Sequence, residues 1–179
     1  MRILEDSIRQ FTVNAQAVDA LLRTIPDEQA LWKPNPETWS LKEVMEHVYN
    51  EERLDFRQHL KEMFSRPPQP WGEFNPQDYV AVENCRQALE NFLFERKTSI
   101  DWLAGQASAD WNASIQTPFD TQGGLLVLSA GDVLTSWVAH DYLHRSDKGE
   151  REEEKPGEHE PEEDPVLGGN ELKNGDDES

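Results

Sequence analysis

His140 and His144 stand four residues apart in the segment LTSWVAHDYLHR, and His47 stands in the earlier segment LKEVMEHVYNEE. On a helix, an i, i+4 pair places both rings on one side, one turn apart. A third imidazole from a facing helix would complete a three-nitrogen set that holds a metal ion and leaves a position open to water or substrate. Glu51, one turn beyond His47, adds a carboxylate able to accept a proton or to orient a ligand imidazole.

Two histidines four apart are a weak signal alone. The sharper observation is that each group interrupts an apolar stripe. Val133 and Trp137 set up a helical line that His140 and His144 continue, and Val44 and Leu54 bracket His47 and Glu51 in the same way. Polar groups inside a bundle cost free energy unless they are satisfied, and a shared metal would satisfy them together. The plain alternative for each histidine is a hydrogen-bonded core or boundary residue. For Glu51 it is an exposed helix carboxylate in the acidic pair Glu51–Glu52. Asp141 is rotated by about 100° from His140 on a helix, so it reads as a supporting or surface group rather than a ligand. His59 interrupts no apolar stripe and reads as surface, while Cys85, the single cysteine, reads as a small buried thiol.

These residues need helices to position them. Leu4, Ile8, Phe11, Ala15, Val18, Leu22 and Ile25 alternate in steps of four and three, which predicts a long amphipathic first helix ending before Pro26. The segment PDEQALWKPNPETWS is punctuated by prolines and allows at most one helical turn, with Trp32 and Trp39 as apolar pins. Ser40 and Glu43 form a capping-box pattern that starts a second helix, expected to run to about Phe64. The proline-rich stretch SRPPQPWGEFNPQD follows, with Trp71 and Phe74 placing it against the bundle. A third helix is marked by Val82, Cys85, Leu89, Phe92, Arg96, Ile100 and Leu103, ending near Gly105. A long connection comes next, with a short extended piece over residues 114–119. Ser129 and Asp132 then cap the fourth helix. Four helices with long crossover connections make an all-α four-helix bundle over residues 1–146.

Composition bounds the remaining choices. Formal net charge is -19, and residues 147–179 alone hold 14 acidic and 4 basic side chains with almost nothing to bury. That stretch is expected to be a disordered acidic tail. No basic stripe is present to track a phosphate backbone or an anionic membrane surface, which excludes direct nucleic-acid and membrane binding. The longest apolar run, residues 125–128, is too short to span a bilayer, and a lone cysteine fits a reducing cytoplasm.

The segment LWKPNPETWSLKEVMEHVYNEE resembles the second-helix signature of the DinB-like, or YfiT-like, four-helix-bundle superfamily: prolines, W-S-x-x-E-V, then a histidine and acidic residues. WVAHDYLHR is similar to its H-D-x-x-H motif on the last bundle helix, and the likeness covers most of residues 1–145. Arg145 and Ser146 depart from the leucine and glutamine usual after the last histidine. In this superfamily three histidines bind a divalent metal, commonly zinc or nickel, which implies His47, His140 and His144 as ligands. Relatives such as mycothiol-dependent maleylpyruvate isomerases and bacillithiol S-transferases use the metal to activate a low-molecular-weight thiol. The resemblance therefore implies a thiol-dependent S-transferase or isomerase acting on small electrophiles; Glu51, from its place one turn beyond His47, is the candidate catalytic carboxylate. A metal-dependent hydrolase and a non-catalytic, metal-binding stress-response bundle stand as alternatives. The transferase reading calls for a pocket bordered by polar or basic groups such as Arg53, Arg57 or Arg66. The expected partners are a small-molecule substrate and, dimers being common in such families, a second copy of the chain.

Overall fold

A computed structural model describes residues 2–72, 75–121 and 124–146, with the side chains of residues 76, 120–121 and 143–146 outside the described set. The stretch read as an acidic tail, residues 147–179, lies outside the described residues. The first apolar stripe forms α1, Arg2–Leu22, which buries Leu4 and Phe11 together with Ser7 and Asn14. Pro26 lies just beyond and supplies no amide hydrogen to continue the helix. The proline-rich connection carries one short helix, α2, Asp27–Leu31, anchored by buried Ala30. Trp32 is exposed and does not pin this segment as expected, whereas Trp39, though largely exposed as well, meets a ring on the next helix.

The capping box at Ser40 forms as the sequence predicts. Glu43 donates its backbone N–H to Ser40 Oγ (3.3 Å), and Ser40 N–H donates to Glu43 Oε2 (2.7 Å). It opens α3, Leu41–Leu54. The expected single helix to Phe64 is interrupted at Asp55, whose φ of -105° and ψ of -104° are not helical, and α4 runs from Phe56 to Phe64. Arg57, His59, Leu60 and Met63 turn inward, so His59 is buried rather than on the surface.

Asn84 caps α5, Cys85–Ala104, by accepting from Gln87 N–H at 2.9 Å. Val82, expected inside this helix, precedes it but is buried all the same. The long connection holds an antiparallel hairpin: β1, Ser114–Thr121, pairs with β2, Gly124–Ser129, from Ser114↔Ser129 to Thr121↔Gly124 with an irregularity between Gln116 and Asp120. The extended piece expected over residues 114–119 is thus one arm of a pair, and the apolar run 125–128 supplies the other. Gly124 has φ +113°, a conformation that favours glycine.

The last helix, α6, Ala130–Ser146, starts at a reciprocal cap in which Asp132 N–H donates to Ser129 Oγ (3.1 Å) and Ser129 N–H donates to Asp132 Oδ2 (2.9 Å). Helix α3 lies chiefly against α5, α4 packs on α6, and α1 contacts both α5 and α6. Two apolar clusters result. One gathers Phe11, Leu60, Leu103, Leu134 and Trp137, and the other gathers Met45, Val82, Leu89 and Phe92. Among the described residues no helix is long and apolar enough to cross a membrane.

Candidate metal centre

The donors meet between α3 and α6. His47 and Glu51 lie one turn apart on α3, and His140 faces them from α6. His47 Nε2 lies 3.1 Å from Glu51 Oε1, and His140 Nε2 lies 2.7 Å from Glu51 Oε2. The two imidazole centroids are 6.1 Å apart. All three side chains are half-buried, and one donor atom from each lies within 4.8 Å of the others. Two imidazole nitrogens and a carboxylate are donor types suited to zinc- or nickel-class ions. Neutral imidazoles with one ionised carboxylate would leave a divalent ion only partly compensated, so it would keep its power to polarise a fourth ligand.

The surroundings fix the ring orientations. His47 Nδ1 lies 3.2 Å from the Tyr79 hydroxyl, which leaves Nε2 for the donor cluster. Burial, reinforced by Glu51 and Asp55, pushes the Tyr79 phenol up to about 12, so it stays protonated at neutral pH. Trp39 meets the His47 ring edge-on at 4.8 Å. Phe56 lies 5.4 Å from the His140 ring and stacks on Trp137. Burial raises the Glu51 carboxyl, but hydrogen bonds from His140 and His47 outweigh it and hold the group at about 2.

A cavity of about 140 Å³ opens beside the donors, lined by Glu51, Asp55, His59, Trp71, Tyr79 and Phe119. His59 is locked in its wall. Its Nε2 lies 3.1 Å from Asp55 Oδ1, its Nδ1 lies 3.0 Å from Glu62 Oε2, and its ring stacks on Trp71 with centroids 3.7 Å apart. Burial works against charge on His59, yet the two carboxylates prevail and raise its pKa. Trp71 therefore does lie against the bundle, as the sequence suggests, and it meets Phe119 edge-on across the cavity.

Among the described residues, Arg53 and Arg57, expected to border a thiol pocket, are engaged elsewhere. Arg57 is buried and bonded to Glu95 (2.5 Å) and Ser99 (3.2 Å), and Arg53 binds Asn50 and the Asp78 carbonyl. Neither these arginines nor Arg66 lines the cavity.

Behind the donors lies a buried ionic network that the stripes do not announce. Arg96 on α5 bonds Glu52 on α3 at 2.8 Å and both carboxylate oxygens of Asp141 on α6 at 2.6 and 2.7 Å. Trp137 Nε1 donates to Glu52 Oε2 (3.1 Å), and Asn14 Nδ2 donates to Asp141 Oδ2 (3.0 Å). Asp141 is accordingly an interior residue, not a surface one. The sequence signal was Arg96 itself, a charge set inside the apolar stripe of the third helix.

The structure brings together His47, Glu51 and His140 from the predicted site. His144 falls in the last turn of α6, and its side chain lies outside the described residues. Cys85 is free and buried away from this cluster, and burial raises its thiol pKa.

Fold and donor set together define a class: a four-helix bundle with a candidate metal centre between two of its helices. A profile of the DinB superfamily matches residues 10–147, and the chain belongs to that superfamily. Its fold is similar to that of YfiT from Bacillus subtilis, described as "a probable metal-dependent hydrolase with an unusual four-helix bundle topology". The two share 10% sequence identity, with 79% of this chain and 81% of that chain covered at a TM-score of 0.62. No curated protein matches in sequence.

Proposed function

We propose that this protein binds a divalent ion of the zinc or nickel class through His47 and His140 and acts on a small molecule held in the adjoining cavity. The observation that carries this reading is the convergence of His47, Glu51 and His140, of which Glu51 also lines the adjoining cavity. When bound, such an ion lowers the pKa of a coordinated water or thiol and acts as a Lewis acid. His47 and His140 present Nε2, with Tyr79 fixing the His47 ring. The role of Glu51 depends on His144. If His144 supplies a third nitrogen, Glu51 is left as the proton acceptor. If it does not, Glu51 is the third donor.

Hydrolysis is the reaction best supported. The cavity wall offers carboxylates at Glu51 and Asp55 and aromatic faces at Trp71 and Phe119, with no lysine or arginine among the described residues that line it. The description of YfiT agrees in kind. A thiol transferase remains the second reading, on the resemblance of the two histidine motifs.

Elemental analysis of protein purified without added metal tests the site. Wild type is expected to carry stoichiometric metal, and His47→Ala and His140→Ala to lose it. His144→Ala and Glu51→Gln then separate the two roles of Glu51, because the true third ligand is the one whose loss empties the site. Metal retained in both His47→Ala and His140→Ala overturns the assignment. A thermal shift of the metal-loaded protein with small thiols such as cysteine would favour the transferase over the hydrolase.

A further inference from the structure

Resting on the metal reading above, we propose that Arg96 is a positioning residue for the metal centre, holding α3 and α6 in the register that brings His47 and Glu51 to His140. The argument begins with adjacency. Glu52 follows Glu51 and Asp141 follows His140, and successive helical residues point about 100° apart. The first of each pair of side chains therefore faces the donor cluster while the second turns into the interior. Both interior carboxylates end on the same guanidinium.

Arg96 suits this task. It comes from α5, a third helix, so it ties together two elements that carry the donors without being a donor itself. Its fork takes Asp141 bidentately and reaches Glu52 with the same Nη2. The planar guanidinium thus fixes direction as well as distance, which a lysine ammonium does not. Phe11, Phe92 and Trp137 surround it at 4.5, 5.0 and 6.0 Å, so the fork has little room to swing. Phe92 belongs to one apolar cluster while Phe11 and Trp137 belong to the other, so the guanidinium sits where they adjoin. Trp137 adds a further link: its indole N–H holds Glu52, and its face backs Phe56, which contacts the His140 ring.

Energetics favour a positional role over a purely stabilising one. Burying an arginine and two carboxylates carries a large desolvation cost, and apolar replacements of buried ion pairs are often no less stable. What an apolar replacement would not reproduce is the fixed alignment of α3 on α6. Groups that orient metal ligands from behind typically change affinity by roughly ten- to a hundredfold when replaced.

The test uses Co(II) as the probe ion on the full chain, at a temperature well below the melting point of every variant. Arg96→Lys keeps the charge and loses the fork. It is expected to bind Co(II) roughly ten- to a hundredfold more weakly than wild type, with altered visible absorption of the saturated complex and unchanged helical circular dichroism. Should Arg96→Lys not fold, Asp141→Asn, which leaves the Glu52 pairing in place, is read in the same way. Wild-type affinity and an identical cobalt spectrum in the folded variant overturn the positioning role and leave Arg96 a stabilising group only. Failure of wild type itself to bind Co(II) overturns the metal reading, and this inference with it.

Discussion

At the residue scale, His59 shows how neighbours decide what a side chain is. The ring is held between Asp55 and Glu62 and stacked on Trp71, so the charged imidazolium is favoured despite burial. Its pKa in the folded protein lies above the ordinary 6.5. Its contribution to stability is therefore full below 6.5 and is lost as pH rises through the raised value. For Glu62, burial acts upward but the bonds from His59, Gln58 and the Gly72 amide hold it below its ordinary 4.5. The share from Glu62 is present above 4.5 and is lost as pH falls through the lowered value. Together the pair contributes most between 4.5 and 6.5. Replacing His59 by Gln keeps the hydrogen-bonding shape and removes the charge. The difference in melting temperature between wild type and His59→Gln is expected to peak in that window and to shrink on both sides. A difference independent of pH would show that His59 acts by packing alone.

At the element scale, the caps were legible in the sequence and the break was not. S-x-x-E at Ser40 and the Ser129–Asp132 pair are local signals, because side-chain oxygens three residues from a backbone amide need no distant partner to find it. The interruption at Asp55 has no such mark. RLDFRQ contains neither proline nor glycine, so the pattern predicts one helix straight through it. Buried positions nevertheless keep seven-residue steps across it, from Met45 to Glu52 to His59 and from Asn50 to Arg57. Several of them are polar, so no apolar stripe marks His59 as interior, and Arg57 is held by Glu95 and Ser99 instead of reaching the cavity. The hairpin was half legible because a strand is completed by its partner, and the register of residues 114–121 on 124–129 exists only once both arms are paired. The cap at Ser40 also carries a prediction, since it opens the helix that bears His47 and Glu51. Ser40→Ala is expected to cost about 1 kcal/mol in urea denaturation, with no loss of the Asn84 cap on α5. The bonds from Lys33 and Ser40 hold Glu43 at about 2, so its half of the box persists from neutral pH down through 4.5 before weakening. An unchanged unfolding midpoint in Ser40→Ala would mean that packing alone fixes the start of α3.

At the scale of the whole molecule, the superfamily was legible because its two histidine motifs are short and each lies on one helix, whereas the ionic network joining those helices was not. Glu52, Arg96 and Asp141 come from three separate elements, and only the assembled bundle shows that one guanidinium serves both carboxylates. The same long-range closure makes metal binding a property of the folded state. An unfolded chain does not hold His47 beside His140, so an ion that binds there must stabilise the fold by mass action. At a free concentration a hundred times the dissociation constant, that stabilisation is about 2.7 kcal/mol, and for a domain of this size each kcal/mol raises the melting temperature by roughly 2–4 °C. Zinc or nickel added to metal-free protein is therefore expected to raise the melting temperature by roughly 5–11 °C, reversibly on adding EDTA. The acidic stretch over residues 147–179 offers many carboxylates to a cation, so a shift in wild type does not by itself locate the ion. His47→Ala and His140→Ala do locate it. Each removes one nitrogen and leaves the acidic stretch untouched, so loss of the shift in both places the ion between α3 and α6. A shift of equal size in either variant would assign the binding to carboxylates elsewhere and remove the ground for a catalytic metal in this bundle.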